Sequence, residues 1–173
     1  MNNEEVKQNV SAIRGGDKTA FAELYSGLQT PLYTVIFRII WDKALAEDIL
    51  QDVFVKVFLS PPGPAVANPR AYIFRMARNL AIDGARKQTR HVSLEEIGDR
   101  AGRPAEDAAW RLDVEGALKK LPPPECQIVT LHVIGELKFR EISALMEIPL
   151  STVIWKYQKA LSKLQIMITG GAL

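Results

Sequence analysis

The sequence contains a single cysteine, Cys126, and two histidines, His91 and His132. One cysteine excludes an internal disulfide framework and fits a reducing compartment. Neither histidine lies near the carboxylates of Glu47, Asp48 and Asp52 in sequence, which makes a metal site there less expected. No glycine-rich stretch has the pattern of a phosphate-cradling loop. An excess of one charge is also missing. The net charge is +2, so any footprint for nucleic acid must be local rather than global. The most apolar run, PLYTVIFRIIW (31–41), is too short to span a bilayer and is interrupted by Arg38. The N-terminal MNNEEVKQNV lacks the basic-then-apolar pattern of a secretory leader. No stretch alternates at period two, and there is no internal repeat. These absences predict a cytoplasmic protein without direct membrane insertion, catalytic residues, metal or cofactor.

What is present is helical periodicity cut by breakers. The 173 residues suffice for one compact domain or two small ones. Gly15-Gly16 should end a first short helix, and Asp17 can cap the next. AFAELYSGLQ and PLYTVIFRIIW follow with apolar residues at helical spacing. ALAEDILQDVFVKVFL (44–59) reads as a long amphipathic helix with Ala46, Ile49, Leu50, Val53, Phe54 and Val57 on one side. SPPGPAVANP (60–69) cannot be helical through its interior, because its prolines remove donors and bias their neighbours to extended forms. The stretch 88–107 is polar and contains Gly and Pro without an apolar period, which predicts a linker. A second helical block runs from about 107 to 168, broken by Pro122-Pro123-Pro124. The fold class expected is all-α.

Three surfaces could carry function. At about 100° per residue, Glu47, Asp48, Gln51 and Asp52 share a polar flank of the 44–59 helix. A solvated acidic face would look the same. In NPRAYIFRMARNLAIDGARK (68–87), Tyr72, Ile73, Met76, Ala77 and Leu80 should face a core. Arg75, Arg78, Asn79, Ile82 and Arg86 fall on another side, and Lys87 adds charge at the exit. Between 70 and 90 the cations Arg70, Arg75, Arg78, Arg86, Lys87 and Arg90 face only Asp83, so positive charge is concentrated on one helix. Tyr72 and Phe74 sit at a spacing more typical of core than of stacking platforms.

The third surface lies near the C-terminus. KFREISALM (138–146) predicts a short helix with Phe139, Ile142 and Leu145 inward. Pro149 should stop it and open the next. STVIWKYQKALSKLQ (151–165) then puts Val153, Tyr157, Ala160, Leu161 and Leu164 on one stripe. Two helices joined by a tight turn give a helix-turn-helix pattern, although a plain helical hairpin shares it. Its outer face carries Ser151, Thr152, Trp155, Gln158 and Lys159, with Lys156 at the flank. Ser, Thr and Gln can bond base edges, and lysines can hold phosphates.

Taken in order, DKTAFAELY, AEDILQDVF, NPRAYIFRMARNLAIDGARK and LPPPECQIVTLHVIGELKFREISALMEIPLSTVIWKYQKAL resemble the landmarks of an extracytoplasmic-function (ECF) sigma factor. These are small bacterial subunits that direct RNA polymerase to promoters. The resemblance covers nearly the whole chain apart from the linker and extreme termini. It implies two small helical domains: sigma region 2 at 1–88 and sigma region 4 at 107–173, joined by a flexible linker at 89–106. It implies that Glu47, Asp48, Gln51 and Asp52 meet the β′ clamp helices of core RNA polymerase, whose β flap receives region 4. Arg75, Arg78, Asn79, Arg86 and Lys87, with loop 60–68, would bind the −10 element as duplex and as melted non-template strand. Ser151, Thr152, Trp155, Lys156, Gln158 and Lys159 would bind the −35 element. An anti-sigma factor, often membrane-anchored, is the silencing partner that the resemblance implies.

The match departs from the family pattern at several places. Glu147 and Ser151 stand where glycines are common, Ile154 where a basic residue is, Trp155 where a small one is, and Cys126 where arginine is frequent. The competing expectation is a stand-alone helix-turn-helix regulator that binds duplex DNA without polymerase.

Overall fold

The computed structural model describes residues 1–92 and 109–169, with side-chain surroundings given for 1–88 and 114–169. Eight helices occupy these residues, and no strand occurs among them. They are α1 (Asn3–Arg14), α2 (Lys18–Ile40), α3 (Lys43–Leu59), α4 (Pro69–Val92), α5 (Ala109–Lys120), α6 (Pro123–Val133), α7 (Phe139–Met146) and α8 (Leu150–Thr169).

Polar caps set the starts of the first four. Asn2 and Glu5 form a reciprocal capping box on α1. Asp17 accepts from the Thr19 and Ala20 amides, and Asp42 accepts from Leu45. Asn68 accepts from Ala71 with Pro69 at the first helical position, so the proline that ends the loop also starts α4. The segment 60–68 between α3 and α4 is not helical, as its prolines require.

Helix α2 is the central post of the first half. Leu24, Leu28, Leu32 and Ile36 recur every fourth residue and are fully buried. Against them lie Val6 and Val10 of α1, Val53 and Val57 of α3, and Ile73, Phe74 and Ala77 of α4. The helices α3 and α4 cross closely at Gly84, where a Cβ would come within 2.7 Å of Ile49 Cδ1. The two apolar segments on either side of Pro31 form one continuous helix. Proline frees the carbonyl four residues back, at Gly27, and the buried leucines on both sides hold the register across it.

The second half is α5–α8. Its cluster joins Ala117, Leu121, Cys126, Val129, Ala160 and Leu164, with Trp41 of the α2–α3 turn packed on it. Ile128, Leu131, Leu137, Ile142, Leu145 and Val153 instead join the core of α1–α4. The two halves therefore share one apolar interior in this structure, in contact chiefly through α2 with α6 and α4 with α7. Helix α4 continues to Val92, beyond residue 88 where the linker was expected to begin; 93–108 lie outside the described residues.

One inward expectation fails. Leu161 is exposed, because it lies about 80° around α8 from Val153 while Ala160 and Leu164 lie within about 20°.

Candidate nucleic-acid interface

The acidic flank of α3 is fully presented. Glu47, Asp48, Gln51 and Asp52 are all exposed, and Lys43 pairs loosely with Glu47 at 4.0 Å. Sequence reasoning missed their apolar companions. Val55, Phe58 and Leu59 are 53%, 45% and 75% exposed. On the helical wheel these three fall within the same arc as the acidic residues. The face is thus apolar and acidic together. A wheel drawn for exposed positions as well as buried ones would have shown it.

On α4 the predicted inward residues divide. Ile73, Phe74 and Ala77 are buried, whereas Tyr72, Met76 and Leu80 are half-buried. Phe74 is core, as its spacing suggested. On the outward side, Arg75, Asn79, Arg86 and Lys87 are exposed. The Arg75 guanidinium lies 5.5 Å from the Tyr72 ring centre, and Arg86 is 4.0 Å from Asp83. Beside Asn79 runs a groove of about 280 Å³ lined by Lys56 of α3 and by Tyr72, Arg75, Met76, Leu80 and Asp83. Lys56 adds a cation across the groove from Asn79 and was not foreseen, since it belongs to the preceding helix.

Two arginines of α4 do not share that open face. Arg70 is buried: its Nε donates to the Met1 carbonyl at 2.9 Å, and Nη2 lies 3.6 Å from Glu136. Arg78 is half-buried and donates from Nε to Gln127 Oε1 at 2.8 Å. Desolvation holds both guanidinium groups below their ordinary pKa; Glu136 and Glu141 oppose this at Arg70, and Glu147 opposes it at Arg78. Arg78 was expected on an exposed arc with Arg75. The second half of the chain covers it instead.

The helix-turn-helix is formed by α7 and α8. Phe139 stacks on His132 at 4.2 Å, and Tyr157 closes the cluster at 5.0 Å from each. Glu147 ends α7 with φ of 58°, the left-handed conformation that glycine adopts without strain. Ser143 Oγ donates to the Ile148 carbonyl and tightens the turn. Of the outer residues, Ser151, Trp155, Gln158 and Lys159 are exposed, and Thr152 and Lys156 are half-buried. The ammonium groups of Lys156 and Lys159 stand 5.8 and 4.6 Å from the Trp155 ring centre, so the indole is flanked by two cations. Cys126 is buried in α6, and desolvation raises its thiol pKa.

Among the described residues no cluster of three or more metal-type side chains occurs, and no helix is long and apolar enough to cross a membrane.

Comparison with known proteins agrees with this arrangement. The sigma-70 region 2 family model matches residues 24–91, and the sigma-70 region 4 model matches residues 111–164. The chain is 26% identical over 165 residues to the ECF RNA polymerase sigma factor SigW of Bacillus subtilis (strain 168), covering 86% of this chain and 88% of that one. It is 26% identical to SigK of Mycobacterium bovis (strain BCG / Pasteur 1173P2), covering 88% of each. Among solved structures, the sigma factor RpoE in complex with the anti-sigma factor NepR from Bartonella quintana superposes with a TM-score of 0.73 at 21% identity, over 86% of this chain and 96% of that one. CnrH in complex with the cytosolic domain of CnrY gives 0.67 at 17% identity, over 97% of this chain and 99% of that one. At those identities the structural likeness speaks for the fold.

Proposed function

The chain belongs to the ECF branch of the sigma-70 family and is an RNA polymerase sigma factor, and from that premise we propose which of its surfaces meets each partner. Residues 1–92, to the end of α4, form the region 2 module and the chain from 109 the region 4 module, with 93–108 joining them. The mixed face of α3 docks on the β′ clamp helices. Val55, Phe58 and Leu59 supply buried area, while Glu47, Asp48, Gln51 and Asp52 set register and association rate against basic partners. On α4, Arg75, Arg86 and Lys87 follow phosphates of the non-template strand, and Asn79 presents both a donor and an acceptor to a base edge. Loop 60–68 shapes the pocket for an extruded base, whose unstacking cost is recovered by packing and base-edge bonds. The outer face of α8 reads the −35 duplex, and region 4 meets the β flap. The protein catalyses no reaction of its own and works in the cytoplasm. An anti-sigma factor silences it, as the partners of the structural neighbours RpoE and CnrH suggest.

The observation that carries this division is the presence in one chain of an apolar-acidic docking face on α3 and two cationic faces on other helices, α4 and α8. A stand-alone regulator needs only the last. The test is co-elution with core polymerase followed by transcription from a promoter with both elements. Promoter-dependent initiation only when the chain is added to core supports the assignment. Duplex binding without any association with core would overturn it.

A further inference from the structure

Trp155 stands opposite the buried stripe of α8. Val153, Ala160 and Leu164 are buried. At about 100° per residue they lie about 160°, 140° and 180° around the helix from Trp155. The other outer residues flank it. Ser151 and Gln158 lie about 40° and 60° to one side, and Lys159 and Thr152 about 40° and 60° to the other. The indole is therefore the centre of the outer face. Among the described residues of α7, and of α8 as far as Ala160, it is the one large apolar side chain left exposed. Ser151 and Thr152, one turn earlier, are short. When α8 lies in a major groove, about 8.5 Å deep, the indole is the side chain that reaches the floor.

The surroundings of the ring are lopsided. Lys156 and Lys159 both lie on one side of it, with their ammonium groups 5.8 and 4.6 Å from the ring centre. That side suits a phosphate wall. The other side carries the neutral hydrogen-bonding groups of Ser151 and Gln158 and suits base edges. The indole itself offers apolar surface and a single N–H, which donates and cannot accept. Of the four bases, thymine matches this pair of properties, because its methyl group sits beside the O4 acceptor in the major groove. Guanine presents acceptors without an apolar group. Adenine and cytosine each present an amino donor, for which the indole has no acceptor.

We propose that Trp155 is a specificity-determining residue that selects a thymine within the −35 element: its ring packs on the thymine methyl and Nε1–H donates to O4. Lys156 and Lys159 hold phosphates on one side of the indole and fix its position in the groove. Ser151 and Gln158 meet the neighbouring base pairs on the other side. The discrimination falls mainly between thymine and cytosine, which differ in the major groove by the methyl and by the exchange of O4 for an amino group. The proposal rests on the assignment of α8 to the −35 duplex.

The test uses holoenzyme assembled from core polymerase and the full-length chain, titrated with promoter duplexes. Each thymine of the −35 element, on either strand, is replaced in turn by uracil, which removes the methyl and keeps every hydrogen-bonding group. Wild type should lose about fourfold in affinity at one position, the loss expected for one buried methyl. Trp155→Ala should bind the unmodified promoter more weakly and lose nothing further with uracil at that position. Trp155→Phe keeps an apolar ring and lacks the donor. It should stay sensitive to uracil there, and should discriminate less than wild type against a pair of 5-methylcytosine with guanine. Circular dichroism should be unchanged in both variants, because the side chain is exposed. Equal uracil penalties in wild type and Trp155→Ala overturn the proposal, and so does a wild type that is indifferent to uracil at every position. Lys159→Ala on the same duplexes separates the two readings. If it still lowers the salt slope where uracil has no effect, α8 stays on the −35 element and the thymine contact alone is lost. If neither change has an effect, the assignment of α8 falls with it.

Discussion

The Lys159 ammonium lies 4.6 Å from the centre of the Trp155 ring, one turn further along α8. The indole thereby steers a cation that would otherwise sample solvent. Lys159→Ala should weaken binding to many −35 sequences alike and lower the magnitude of the salt slope by about 0.9, the signature of one lost phosphate contact. Trp155→Ala keeps the charge and loses its platform, so promoter affinity should fall about two- to fivefold. Holoenzyme titrations at several salt concentrations check both. An unchanged salt slope for Lys159→Ala would remove the phosphate assignment.

On α3, Asp48→Lys with Asp52→Lys should lower affinity for core polymerase by about tenfold or more, because like charges would then face the basic partner groups. Phe58→Ser with Leu59→Ser should weaken the same complex through dissociation rate. Helicity should not change in either case, since all four side chains are exposed. Surface-immobilised core polymerase separates the two effects. Normal assembly by both variants would mean that α3 is not the docking face.

Glu147 ends α7 in a left-handed conformation with φ of 58°. A side chain there costs about 1–2 kcal/mol, partly offset by the greater freedom of glycine in the unfolded chain. Glu147→Gly should therefore raise stability by up to about 1 kcal/mol, or about 2–4 °C in Tm for a chain of this size. Thermal unfolding at fixed protein concentration checks it. A lower Tm would show that the carboxylate contributes more near Arg78 than the backbone strain removes.

Burial raises the Cys126 thiol pKa, with the Thr130 side chain and Arg38 opposing the shift. The thiolate is thus scarcer in the folded state. Alkylation by iodoacetamide at neutral pH should be slow in native protein and fast in urea. The sign for stability follows. Above the unfolded thiol's pKa the unfolded chain loses its proton first, so stability should decline as pH rises from there to the folded value. Cys126→Ser should flatten that alkaline decline. Rapid native labelling would contradict the buried placement.

Much of this fold was legible because period alone decides it. Ile73 and Ala77 on α4, and Val153, Ala160 and Leu164 on α8, are inward as their spacing requires. Asp17 caps α2 as its type and its place after Gly15-Gly16 suggested. What was not legible depends on partners distant in sequence. Nothing near Arg78 in the chain announces Gln127, because the pair is made by the packing of α6 on α2 and of α7 on α4. Lys56 escaped for the same reason, since its groove needs two helices. Val55, Phe58 and Leu59 escaped for another. An apolar residue in an amphipathic helix is read as core by default, and only its angular position says otherwise.

The central claim is that the exposed face of α4 reads the −10 element. Its most direct measurement is transcription by reconstituted holoenzyme from a library randomised only in the −10 element, with the −35 element held constant. Wild type, Asn79→Ala and a protein with residues 61–67 exchanged for another member's loop are compared. If Asn79 bonds a base edge, Asn79→Ala should lose about 1–3 kcal/mol at the preferred base and much less at the others. The loop exchange should move the preference at the extruded position while leaving −35 selection unchanged. Identical base profiles for all three proteins would contradict the account and leave α4 with only an electrostatic role.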